Sequence, residues 1–137
     1  MSPLDALDSS HIDALVRAAL DEDGAQRDVT SALLELGDHL VVAEIQVSAP
    51  VVVCGIDVAR EVFRQVDPAC GFDALSADGT RAETNTAICR IEGRAAPILA
   101  AERTALNFLQ RMCGVATLAS RFVSAVEGTG VVILDTR

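Results

Sequence analysis

The hydrophobic period of the chain changes at Gly93, and this change limits the folds that the chain can adopt. Before it, residues 86–93 (TAICRIEG) alternate in a way that predicts a strand. After it, apolar residues recur at steps of three and four, which predicts a long helix with Pro97 in its first turn. The members of that apolar stripe are Ile98, Ala101, Ala105, Leu106, Leu109 and Met112.

Shorter segments on the amino-terminal side predict more helices and strands. Periodicity and punctuation favour helices over residues 12–20 and 56–66, and strands over residues 40–47 and 51–55. Asp67-Pro68 is expected to stop the second helix. Between the first helix and the first strand, a polar loop (DVTS, 28–31) is followed by a short helical turn over 32–36. These elements indicate an α+β domain.

The carboxy-terminal part predicts a helix pair and one strand. We expect Gly114 to close the long helix, a second helix over 115–126, and a buried strand over 131–134. Such a strand without a neighbour would leave its backbone groups and apolar side chains uncovered. We therefore expect further chain to follow Arg137.

Charge and residue usage exclude several classes of function. The net charge is −9 with 11 basic residues, all arginine, which argues against nucleic acid or an anionic membrane as partner. The absence of lysine excludes a Schiff-base lysine, a P-loop and a lipoyl or biotinyl carrier. Arginine is then the expected reader of anionic ligands, since its planar fork pairs bidentately with carboxylate or phosphate.

The remaining composition indicates an ordinary intracellular protein. The amino terminus lacks the basic start and apolar block of a signal peptide, and no apolar run is long enough to cross a bilayer, so a cytoplasmic location is expected. Four widely spaced cysteines form no C-x-x-C pair and are expected to be buried thiols. His11 and His39 stand alone and are interpreted as boundary residues.

Two segments carry residues suited to chemistry. One is 102–117 (ERTALNFLQRMCGVAT), which would present Arg103 from a rigid helix; taken alone it also fits a solvated helix face. The other is 133–137 (ILDTR), which places polar residues directly after a predicted strand, where α/β barrels bind ligands.

Together, at this separation, the E-R-x-x-L-N and D-T-R motifs resemble the quinolinate phosphoribosyltransferase family, also called carboxylating nicotinate-nucleotide pyrophosphorylase. The segments ALDED (19–23), DVTS (28–31) and VCG (53–55) follow the family's order. The resemblance implies transfer of the phosphoribosyl group of phosphoribosyl pyrophosphate to quinolinate, with loss of CO2, giving nicotinate mononucleotide and pyrophosphate in NAD biosynthesis. It also implies Mg²⁺ with the pyrophosphate donor, its ligands outside this chain.

The resemblance also implies a homodimer in which one subunit's amino-terminal domain caps the other's barrel. Arg103 would then bind quinolinate across the dimer interface, and Arg137 would line the pocket from inside the barrel. The implied fold is an α+β amino-terminal domain over 1–112, then a helix pair and the first strand of a truncated α/β barrel over 113–137. No residue is assigned as catalytic within this chain, which alone is expected to be inactive. Cys113 is interpreted as a packing residue, although similar sequences often carry serine there.

Two other functions stay open. A phosphoribosyltransferase-like paralogue of molybdenum transport would have the same architecture. A non-catalytic module, either a dimerisation domain or a carrier-like fold built from the strands of 40–93, would need neither substrate, and an exposed helix at Arg103 would fit it.

Overall fold

In a computed structural model, which describes residues 9–24 and 39–134, the chain is a small α+β domain. Its described residues form three helices and two antiparallel sheets. The elements in chain order are α1 (Ser9–Asp23), β1 (Leu40–Gln46), β2 (Val51–Val52), α2 (Ile56–Val66), β3 (Gly71–Ala74), β4 (Arg81–Ala82), β5 (Ala87–Arg94) and α3 (Ala95–Ala125).

The larger sheet has β5 at its centre. β1 and β3 flank it in the order β1-β5-β3, and β2 pairs with β4 in a second, two-stranded sheet. Both neighbours of β5 are antiparallel to it, and Arg90 stands opposite Glu44 on one side and Asp73 on the other. Opposite charges in one cross-strand row stabilise the outer face of the sheet modestly. The prediction of strands over 40–47 and 86–93 is confirmed.

The inner face of this sheet and the three helices enclose the core. Cys89 and Ile91 of β5 are fully buried, as is Ala101 of α3. α2 contributes a buried stripe at helical spacing, and it begins and ends at the predicted residues. The members of that stripe are Ile56, Val58, Ala59, Val62 and Phe63.

α1 packs against both other helices and extends the predicted helix by a turn at each end. Val16 and Leu20 are its buried anchors. On α2, Arg64 donates from Nε to Oε2 of Glu61 at 2.6 Å. Its Nη2 atom also lies 3.4 Å from Oδ1 of Asp13 on α1. The guanidinium lowers the pKa of Glu61 to about 2, so the Arg64–Glu61 pair within α2 keeps its charge at any ordinary pH.

The predicted strand over 51–55 is wrong beyond Val52. Gly55 adopts a left-handed conformation with φ of 100° and begins α2. Its N–H donates to Oδ2 of Asp78 at 2.8 Å, and the N–H of Ile56 donates to Oδ1 at 3.1 Å. The carboxylate of Asp78, from a distant loop, thus caps the start of α2. Because both N–H groups are bonded to it, they cannot join the hydrogen bonds of a strand.

The predicted helix pair is also wrong, because α3 runs unbroken through Gly114. A lone glycine in a helix costs only about 1 kcal/mol relative to alanine. Two bonds outweigh it: Thr117 Oγ1 accepts from the N–H of Val52 at 2.9 Å, and Cys113 Sγ accepts from the N–H of Cys54 at 3.3 Å. These side chains are one turn apart, so only continuous helix brings both to the same neighbouring segment.

Residues 131–134, predicted as a buried strand, form no regular structure. All four side chains, of Val131, Val132, Ile133 and Leu134, are exposed. Within the part of the chain that the structure describes, they pair with no strand, and an apolar strand is stable only against neighbours. No helix in the described ranges is long and apolar enough to cross a membrane.

Candidate functional site

A cleft of about 440 Å³ lies between the carboxy-terminal end of α1 and the middle of α3. Glu22 and Asp23 contribute polar groups from α1. The α3 wall follows one stripe at steps of three and four, so the helix presents it as a single face. That wall is formed by Thr104, Asn107, Phe108 and Arg111. The arrangement combines an acidic side, a basic side and an apolar floor.

Arg103, the substrate-binding residue that the motif implies, lies beside this cleft on α3. Its side chain is 77% exposed, and its Nη1 atom lies 3.5 Å from Oδ1 of Asp23. A guanidinium so exposed on a helix of 31 residues can reach a group outside this chain while its backbone stays fixed.

The next residue, Thr104, is buried, being 3% exposed, and its hydroxyl finds no hydrogen-bond partner among the described residues. A buried hydroxyl without a partner costs about 1–3 kcal/mol. Thr104 contributes to the structure by packing, together with Ala105 and Leu109, which are fully or almost fully buried on the same helix. Arg103 stands at the edge of a well-anchored helix segment.

A second cluster, which the motifs alone did not single out, holds α3 in place. Cys113 accepts from the N–H of Cys54 and donates back to its carbonyl at 3.4 Å, and Thr117 donates to the Cys113 carbonyl at 2.6 Å. Burial raises the pKa of the Cys113 thiol. Burial, and next the charge of Asp78, raise the pKa of Cys54. Both thiols are therefore protonated and structural, which confirms Cys113 as a packing residue.

The other cysteines are free thiols, and the two histidines lie at the boundaries of elements. The four cysteines are free; Cys89 and Cys113 are buried and the other two half-buried. His39 immediately precedes β1, and its carbonyl accepts the N–H of Ala95 at 3.0 Å, so it joins the sheet to the start of α3. His11 lies in the first turn of α1.

Some of the predicted site residues lie outside the described ranges. These are the DVTS segment (28–31) with the turn over 32–36, and the DTR segment (135–137) with Arg137. In residues 9–24 and 39–134, no group of three or more His, Cys, Asp or Glu side chains is placed to hold a metal ion.

Comparisons with known proteins agree on one family. Residues 28–113 match the family described as quinolinate phosphoribosyl transferase, N-terminal domain. The chain is 34% identical over 125 residues to a chloroplastic carboxylating nicotinate-nucleotide pyrophosphorylase of Oryza sativa subsp. japonica, covering 90% of this chain and 33% of that protein. It is 34% identical over 125 residues to the carboxylating nicotinate-nucleotide pyrophosphorylase of Mycobacterium leprae, covering 89% and 44%.

The structural comparison gives the same result. The nicotinate-nucleotide pyrophosphorylase of Francisella tularensis superposes with a TM-score of 0.85 at 32% identity, covering 92% of this chain and 44% of that one. The chain thus spans between a third and a half of the length of these relatives.

Proposed function

The chain belongs to the quinolinate phosphoribosyl transferase family, and from that premise we propose that it forms the amino-terminal part of a carboxylating nicotinate-nucleotide pyrophosphorylase. The complete enzyme transfers the phosphoribosyl group of phosphoribosyl pyrophosphate to quinolinate. Carbon dioxide and pyrophosphate leave, and nicotinate mononucleotide enters NAD biosynthesis. The names of the relatives support this reaction over the other functions.

One observation carries the proposal: Arg103 projects from the exposed side of an otherwise anchored helix. Quinolinate carries two carboxylates, and a guanidinium pairs with a carboxylate through two parallel N–H bonds. In this proposal, the side chain of Arg103 extends across the dimer interface and binds one substrate carboxylate in the barrel of a partner subunit. The helix fixes the backbone position from which the arginine approaches the carboxylate.

The rest of the site belongs to segments beyond the described residues. Arg137 lines the quinolinate pocket from the first barrel strand, and Mg²⁺ arrives with phosphoribosyl pyrophosphate. No residue of this chain is assigned to the metal.

Exposed apolar side chains near the carboxy-terminal end of the described residues support the proposal of a barrel. Residues 131–134 and the last turns of α3, which include Leu118 and Phe122, expose large apolar side chains. Many exposed large apolar side chains in one part of a chain indicate a surface that another element covers. We assign residues 1–112 to the capping and dimerisation domain and residues 113–137 to the start of the barrel, although α3 crosses that boundary without a break. The assembled enzyme is a cytoplasmic homodimer.

The two alternatives differ in what they bind. A molybdenum-transport paralogue would keep the architecture without using quinolinate, and nothing in the described residues favours it. A non-catalytic dimerisation module would also leave Arg103 exposed, so exposure alone does not separate it from the enzyme.

The test is a quinolinate phosphoribosyltransferase assay on the full-length gene product and its Arg103→Ala variant. Removing one charge partner from a closed site costs about 2–5 kcal/mol, so kcat/KM should fall roughly 30-fold to 4,000-fold. The matched control is Arg81→Ala. It removes a guanidinium of similar exposure, 72%, whose acidic partner Glu83 is also exposed, and should change kcat/KM by less than about twofold.

The three possible outcomes test the reaction and the role of Arg103 separately. Turnover by the wild type with selective loss in Arg103→Ala supports the proposal. Failure of the wild type to make nicotinate mononucleotide rejects it and leaves the paralogue or the module. Equal activity of wild type and Arg103→Ala would keep the reaction and reject the role of Arg103.

A further inference from the structure

We propose that Asp23 is a positioning residue for Arg103: it holds one end of the guanidinium so that the other edge faces the substrate carboxylate. This inference rests on the proposed function, because it concerns how the same arginine is presented. Asp23 itself touches no substrate; it acts through its ion pair with Arg103.

The pairing of Arg103 differs from that of other helical arginines in the structure. Arg60 and Arg64 of α2 each pair with an acid three residues earlier on their own helix, Asp57 and Glu61, and Arg64 reaches Asp13 of α1 in addition to that local pair. Arg103 has no acid at steps of three or four along α3, where Leu99, Ala100, Leu106 and Asn107 stand. Among the described residues, its ionic partner is an acid on another helix. A pair between two helices fixes a direction in space, whereas a pair along one helix only folds the side chain onto its own surface.

The position of Asp23 is also costly for α1. The helix ends with Asp21, Glu22 and Asp23 and has no basic residue in its last turn. Negative charge at this end of a helix is unfavourable, because it lies next to the negative pole of the helix dipole. Asp23 nevertheless keeps a side chain only 24% exposed, turned toward α3. A locally unfavourable residue whose side chain is held on a second element is expected where function requires it.

The geometry of the pair leaves a binding edge on Arg103. A guanidinium carries five N–H donors in a planar fork. Asp23 faces the Nη1 atom at 3.5 Å, and in the described part of the chain neither Nε nor Nη2 donates a hydrogen bond. The Nε–Nη2 edge can therefore form the two parallel bonds that a carboxylate accepts. Asp23 limits the rotamers of a side chain that is 77% exposed, which reduces the freedom lost when quinolinate binds.

The experiment measures steady-state kinetics of the full-length gene product with the Asp23→Asn variant. We expect the KM for quinolinate to rise about fivefold, the effect of an ion pair of this exposure, with kcat and the KM for phosphoribosyl pyrophosphate changing less than about twofold. Asp21→Asn is the matched control, because it removes an acid from the same helix end with an exposed side chain, and its KM should stay at the wild-type value. The melting temperature of Asp23→Asn should be equal to or higher than that of the wild type, since the helix loses an unfavourable charge.

A second background shows whether Asp23 acts through Arg103. In Arg103→Ala, adding Asp23→Asn should leave the KM for quinolinate unchanged, because residues in one interaction are not additive. A wild-type KM in Asp23→Asn, or an equal rise of KM in both backgrounds, would overturn the inference while the proposed function stands. Absence of turnover by the wild type would overturn both.

Discussion

Replacing Gly114 with alanine tests the continuity of α3, because the sign of the effect depends on the backbone conformation. In the structure Gly114 lies within the helix, its φ is not positive, and an added Cβ would meet no heavy atom within 4 Å. Alanine is favoured over glycine inside a helix by about 0.8–1.0 kcal/mol. Since no steric term opposes this gain, Gly114→Ala should stabilise the chain by nearly that amount.

The measurement is urea and thermal unfolding of the 137-residue chain, followed by far-ultraviolet circular dichroism. For a chain of this length, 1 kcal/mol corresponds to a rise in melting temperature of about 3–5 °C. The matched control is Ala119→Gly, which makes the reverse change at an exposed position five residues further along α3. It should destabilise the chain by a similar amount.

The opposite result would refute the continuous helix. If Gly114 were the left-handed end of a first helix, as the sequence predicts, alanine would be strained and the chain would lose about 1 kcal/mol or more. A loss in Gly114→Ala, with Ala119→Gly behaving as expected, would therefore establish the helix pair.

Three further changes test the packing and the ionisation of the domain. Gly55→Ala should destabilise the chain by about 2–4 kcal/mol in urea unfolding, because its φ is 100° and an added Cβ would lie 2.7 Å from a methionine sulphur. Gly79→Ala is the control: its φ is 86° but no atom lies near the added Cβ, so it should destabilise the chain by only about 1–2 kcal/mol. Asp67→Asn should destabilise the chain by about 2 kcal/mol at neutral pH, since bonds from a backbone N–H and then from an arginine lower the pKa of Asp67. Because the folded pKa lies below the unfolded value of 3.8, the difference in stability from wild type should shrink as the pH falls below about 4. A difference that does not depend on pH would contradict this. Burial raises the pKa of Cys89 to about 11, so in native alkylation followed by mass spectrometry Cys89 should react much more slowly than the half-buried Cys54; equal rates would show that the core opens.

The sequence predicted the elements whose signals are local. The helix over 56–66 was correct at both ends because its apolar stripe, the glycine before it and the Asp67-Pro68 stop are all near neighbours in sequence. The strand over 86–93 shifted by one residue only. The α+β class followed from these elements.

The errors arose where distant residues decide the local conformation. Nothing next to Gly55 announces that Asp78 will bond its amide and cap α2. Likewise, Gly114 has a local preference to end a helix, and the bonds of Cys113 and Thr117 to the segment around Val52 are made across more than fifty residues. The strand over 131–134 depends on neighbours that the described residues do not provide.

The candidate site was predictable in part. Arg103 was identified from its motif, and the structure places it on an exposed helix face; its role in binding stays a prediction. Its partner Asp23 lies in a run of three acids whose orientation no spacing rule gives. Which of the three faces α3 is decided by helix packing, so the pair became visible only in three dimensions.

Because α3 is unbroken, it also fixes the direction in which Arg103 projects relative to the contact that Thr117 makes. Thr117 fixes the helix on one side through the amide of Val52, while Arg103 projects 14 residues earlier. Each residue of a helix advances about 1.5 Å and turns about 100°. Inserting a single residue between these positions would turn Arg103 by about 100° away from its direction, and an insertion of four would nearly restore the angle but displace it by about 6 Å. The number of residues between Arg103 and Thr117 is therefore fixed by the geometry of the helix.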